Sequence, residues 1–95
     1  EENTNYFKVG IKKAGLEILD GDSPIVPVML YDAKLAQDFA DQLLKEGVYA
    51  IGFFYPVVPK ELARIRVQLS AAHSKEQLDK ALSAFEKVGK ELGVI

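Results

Sequence analysis

Hydrophobic positions change their period several times along the chain, and each change marks an element. Phe7, Ile11 and Ala14 recur at helical spacing in the first segment, with Val9 and Gly10 between them. Lys12 and Lys13 fall in the last turn, where they oppose the helix dipole, and Gly15 is a natural left-handed stop. The pattern predicts a helix from Glu1 to Gly15. Leu16 to Leu19 predicts a short strand, and Asp20-Gly21-Asp22-Ser23-Pro24 is dense turn chemistry. Ile25 to Tyr31 (IVPVMLY) is almost continuously apolar, as in a strand covered on both faces. Pro27 lies inside it and cannot donate to a ladder, which predicts an edge position or a bulge there.

Asp32 is placed to cap the next helix, in which Leu35, Phe39 and Leu43, flanked by Ala36, Ala40 and Leu44, form an apolar stripe ending at Gly47. Val48 to Phe54 (VYAIGFF) predicts a strand, with Gly52 allowing a close approach or a bulge. Tyr55-Pro56-Val57-Val58-Pro59 predicts a stiff, extended segment, because neither proline can continue a helix. Ala63 to Leu69 (ARIRVQL) alternates strictly and is the clearest strand. Ser74 followed three residues later by Gln77 is a capping-box pattern, and Leu78, Leu82, Phe85, Val88 and Leu92 carry an amphipathic helix to Gly93. The economical packing is α+β: a small, mainly antiparallel sheet of three to four strands with helices on one face, as a single domain over 1–95.

Composition narrows the function. The 95 residues carry Lys+Arg 12 against Asp+Glu 14, a net charge of −2, with 48% hydrophobic residues. That balance belongs to a globular domain and supplies no field for gripping nucleic acid or an anionic membrane. The run from Ile25 to Tyr31 is the longest apolar stretch, far short of the ~20 residues that span a bilayer. Without cysteine the chain has no disulfide, no zinc finger and no thiol nucleophile. It begins Glu1-Glu2-Asn3, with neither an initiator methionine nor the basic start of a secretory signal, as expected for a piece of a longer protein.

Few residues could do chemistry. In the strand Ala63–Leu69, Ala63, Ile65, Val67 and Leu69 share one face, while Arg64, Arg66 and Gln68 share the other, about 7 Å from one to the next. A guanidinium is permanently charged and its planar fork matches a carboxylate or phosphate. The same pattern also fits the solvated side of a half-exposed sheet. Phe53, Phe54, Tyr55, Val57 and Val58 are too apolar for a plain surface loop and predict a pocket wall or an interface; a core corner stiffened by prolines is the other reading. His73 is the single histidine and reads as structural beside the cap Ser74. Asp20, Asp22 and Asp32 are not spaced as a calcium loop, and no metal site is expected. The glycines are isolated rather than arranged as a phosphate cradle, and lysines such as Lys60, Lys80 and Lys87 have no visible reason for a lowered pKa. No catalytic residue is expected within the chain.

Ile51-Gly52-Phe53-Phe54-Tyr55-Pro56-Val57-Val58-Pro59-Lys60, followed by Ala63-Arg64-Ile65-Arg66-Val67-Gln68-Leu69-Ser70-Ala71-Ala72-His73, resembles the C-terminal domain of the α-oxoamine synthases. These fold type I enzymes use pyridoxal 5′-phosphate (PLP) to condense an amino acid with an acyl-CoA. The resemblance extends through Ser23–Leu30 and Gly89–Ile95, and the Phe-Tyr-Pro-Val-Val-Pro form is more similar to the glycine C-acetyltransferase branch than to the 8-amino-7-oxononanoate synthase branch. It implies that Arg66 binds the carboxylate of the amino-acid substrate, with Arg64, Gln68, Tyr55 and Pro56 in support. The large cofactor-binding domain, with its aldimine lysine, would lie outside this chain. The resemblance also implies a cytoplasmic, homodimeric parent acting on glycine and an acyl-CoA, with PLP as its electron sink and bound poorly or not at all by these residues alone. The family usually has glycine after the Pro-Lys pair, where this chain has Glu61. A second reading, from a different class, is a stand-alone α+β domain that binds a carboxylate ligand or a partner protein.

Overall fold

The computed structural model describes residues 2–19, 25–68 and 73–95. The turn expected at Asp20–Pro24 and the end of the strand expected to run to Leu69 lie outside the described residues. The elements follow in the order α1 (Glu2–Ala14), β1 (Glu17–Ile18), β2 (Ile25–Tyr31), α2 (Ala33–Lys45), β3 (Ile51–Phe53), β4 (Ala63–Gln68) and α3 (Lys75–Glu91). The strands form an antiparallel sheet in the order β1-β2-β4-β3. The α+β class expected from the sequence is the one observed.

Local signals account for the helix boundaries. Asp32 Oδ2 accepts from the Leu35 N–H at 2.9 Å and opens α2. Ser74 and Gln77 form the full reciprocal box at the start of α3, at 3.1 and 2.8 Å. The helices α1, α2 and α3 end alike. Gly15, Gly47 and Gly93 take φ of 102°, 86° and 77°, and the next residue (Leu16, Val48 or Val94) donates its N–H back to the carbonyl of Ile11, Leu43 or Gly89. This is the Schellman closure, which satisfies otherwise orphaned carbonyls and turns an apolar side chain toward the body of the protein.

The helices cover one face of the sheet. Val26, Val28 and Leu30 of β2 and Ala63, Ile65 and Val67 of β4 are buried against Phe7 and Ile11 of α1, Ala36, Phe39 and Leu43 of α2, and Leu78, Phe85 and Val88 of α3. Phe85 joins the three helices, lying edge-on to Phe7 with centroids 5.6 Å apart and tilted against Phe39 at 5.8 Å. Helices α1 and α3 run parallel: Asn3 donates to the His73 carbonyl, Tyr6 to Asp79, Gly10 meets Leu82, and Gly15 meets Ile95. A Cβ at Gly10 would stand 2.5 Å from Leu82 Cδ1, so a larger residue here would require the Leu82 side chain to move.

Four expectations need correction. β2 is an interior strand, and its irregularity falls between Met29 and Tyr31 rather than at Pro27. Pro27 is tolerated because its carbonyl accepts from Leu19 at 3.1 Å. Its nitrogen therefore points to the same side, where β1 has already ended. β3 covers Ile51–Phe53 alone rather than Val48–Phe54, because Val48 is held in the closure of α2. Residues 54–58 turn rather than extend: the Phe54 carbonyl accepts from Val57 at 2.9 Å and from Val58 at 3.3 Å, with a cis peptide between Tyr55 and Pro56. Leu44, expected beside the α2 stripe, is exposed.

Candidate functional site: the open face of the sheet

The face of the sheet away from the helices collects the residues that could recognise a ligand. Register places Glu17, Met29, Arg64 and Phe53 in one row across the four strands, with Pro27, Arg66 and Ile51 in the next. Arg66 and Gln68 are exposed and Arg64 is half-buried. Met29 faces the same side and is buried. At the β1 edge the Tyr31 hydroxyl donates to Glu17 Oε2 at 2.5 Å, and this contact raises the phenol pKa above 10.

The two arginines have different surroundings. Arg64 is turned toward the loop before β4, its Nε donating to the Leu62 carbonyl at 3.1 Å. Among the described residues, then, its support is a backbone carbonyl, and the ion pairs there, Lys34–Asp38, Lys87–Glu46 and Lys90–Glu86, do not include it. The Arg66 guanidinium carbon stands 4.3 Å from the centroid of the Phe53 ring. Stacked there, it keeps its N–H fork for a planar anion, and a carboxylate is the match in geometry and charge.

The loop that leads into β4 closes with the Leu62 N–H donating to Pro59 at 3.1 Å, and Glu61 takes φ 67° at the turn position that favours glycine. The backbone shape that glycine would give is thus present with glutamate in its place. Tyr55 and Val57 are exposed on this loop, with Lys60 Nζ 5.1 Å from the Tyr55 ring centroid, whereas Phe54 packs on the core. Of the expected supporting residues, Arg64 neighbours Arg66 on the strand, while Tyr55 and Pro56 lie in the turn beyond β3. Gln68 lines a separate cleft of about 470 Å³ with Tyr49, His73, Gln77 and Lys80. The Phe53 contact is a partner that residue-by-residue reading missed. Its signal was the alternation of Ile51 and Phe53, which puts both on the arginine side once β3 pairs with β4.

Among the described residues the open face does not make a cofactor site by itself. Every lysine of the chain is exposed apart from the half-buried Lys8 on α1, and none lies on this face. A PLP site needs a lysine amine in a desolvated pocket and a cradle for the phosphate, and these residues do not fit that requirement.

Residues 1–85 match the model of the aminotransferase class I and II family. The chain belongs to that family. An 8-amino-7-oxononanoate synthase of Thermosipho melanesiensis is 55% identical over 99% of the chain and 24% of the relative. A 2-amino-3-ketobutyrate coenzyme A ligase of Escherichia coli is 54% identical over 98% of the chain and 23% of the relative. Among solved structures, a serine palmitoyltransferase from S. paucimobilis with bound PLP–myriocin aldimine superposes with a TM-score of 0.91, at 30% identity over 99% of the chain and 24% of that protein. The chain therefore spans about a quarter of the length of the relatives it matches. These relatives bear out the resemblance to the α-oxoamine synthases. Among the described residues no helix is long and apolar enough to cross a membrane.

Proposed function

We propose that this chain is the C-terminal, substrate-carboxylate-binding domain of a PLP-dependent acyltransferase that condenses glycine with an acyl-CoA, in the manner of glycine C-acetyltransferase. The observation that carries the reading is the exposed Arg66 guanidinium on the uncovered face of the sheet, stacked on Phe53 and held on a rigid strand. Arg66 receives the substrate carboxylate through two N–H groups, and that fixed contact orients the bonds at the neighbouring carbon toward the reacting group. Arg64, tied to Leu62, holds the strand entrance and adds positive potential. The cofactor belongs to the larger part of the enzyme, which supplies its lysine and phosphate contacts. A homodimeric parent at a cytoplasmic address is part of the same reading.

The relatives favour two acyl specificities almost equally, at 55% and 54% identity. The 8-amino-7-oxononanoate synthase type is accordingly the second reading, and turnover of acetyl-CoA against a longer acyl-CoA separates them. The test of the carboxylate role is Arg66→Ala in the full-length enzyme. KM for glycine rises about ten- to hundred-fold, as for loss of a charged bidentate contact, and kcat falls with it. Unchanged glycine kinetics would remove the role from Arg66.

A further inference from the structure

We propose that Phe53 is a positioning residue for Arg66, setting the direction of its guanidinium and so the affinity for the substrate carboxylate; this rests on the carboxylate reading above. An arginine on an exposed strand has four rotatable bonds and would sample many rotamers, most of them useless for a fixed ligand. Here the sheet gives the side chain neighbours on both sides of the strand. Ile51 and Pro27 are its direct register partners on β3 and β2 and flank its stem. Phe53, one step further along β3 and on the same face, lies with its ring centroid 4.3 Å from the guanidinium carbon. The negative face of the ring attracts the cation without using any of its N–H donors. A carboxylate side chain in the same place would hold the arginine as firmly but would occupy the fork. Phe53 is itself half-buried on β3, whose pairing with β4 sets the ring beside Arg66.

Phe53 thus acts on the amino acid and not on the thioester, and it acts only through Arg66. In the full-length enzyme, with glycine and acetyl-CoA as probes, Phe53→Leu raises KM for glycine about three- to five-fold and leaves KM for acetyl-CoA unchanged. Phe53→Tyr, which keeps the ring face, restores the wild-type value. In an Arg66→Ala background Phe53→Leu adds nothing, because the group it positions is gone. Phe53→Ile, which suits a strand, serves as the second variant should leucine disturb folding, with circular dichroism as the check. If Arg66→Ala raises KM for glycine while Phe53→Leu and Phe53→Ile do not, the positioning role is overturned and the carboxylate reading stands. Equal effects on both substrates, or the same effect with and without Arg66, would mark Phe53 as merely structural. If Arg66→Ala itself has no effect, both readings fall together.

Discussion

The two faces of β4 are made by one six-residue strand and have opposite fates. Ala63, Ile65 and Val67 meet three helices and are buried, while Arg66 and Gln68, one residue away along the chain, are exposed. Backbone pairing is shared by both faces, so the difference comes from what covers them. On the covered side, apolar area removed from water holds the domain together. On the open side stand an arginine stacked on Phe53 and the irregularity of β2 between Met29 and Tyr31. Alternate residues of one strand thus serve the core and, on the carboxylate-binding reading proposed above, recognition.

The comparison can be broken most sharply from the covered side. Phe85→Ala removes the ring that joins Phe7 and Phe39, and should cost about 3–5 kcal/mol in denaturant unfolding. A loss below about 1 kcal/mol would mean that the helical layer does not depend on this junction. On the loop that feeds the open face the expected sign reverses. Glu61→Gly relieves a left-handed backbone at a solvent-exposed position and should raise stability by about 0.5–1 kcal/mol, the gain being reduced by the greater chain entropy of glycine. Arg66→Ala should change stability by about 0.5 kcal/mol or less, because its ring contact is exposed. A large destabilisation there would show that the open face also supports the fold.

The covered half of this division was legible in the sequence, since its signals are local. The alternation of Ala63 to Gln68, the Ser74–Gln77 box, the Asp32 cap and the terminal glycines each depend on a few neighbouring residues. What was not legible depends on partners distant in the chain. The apolar run Val48–Phe54 gave no hint that Val48 would be spent on closing α2. Pro27 could not be placed until the early end of β1 beside it was known. Nor could alternation alone separate Arg64 from Arg66. That distinction arises from Leu62 on one side and Phe53 on the other, and Phe53 reaches Arg66 only because β3 pairs with β4 in this register.

The parallel pairing of α1 and α3 has an electrostatic consequence. Two helices side by side in the same direction bring like ends of their macrodipoles together, an arrangement that opposes association. Side chains near the ends offset it in part. Lys12 and Lys13 lie in the last turn of α1 and Lys90 in that of α3, beside the terminal Glu91, while Glu76 follows Lys75 in the first turn of α3. Added salt screens the opposition and its remedy together.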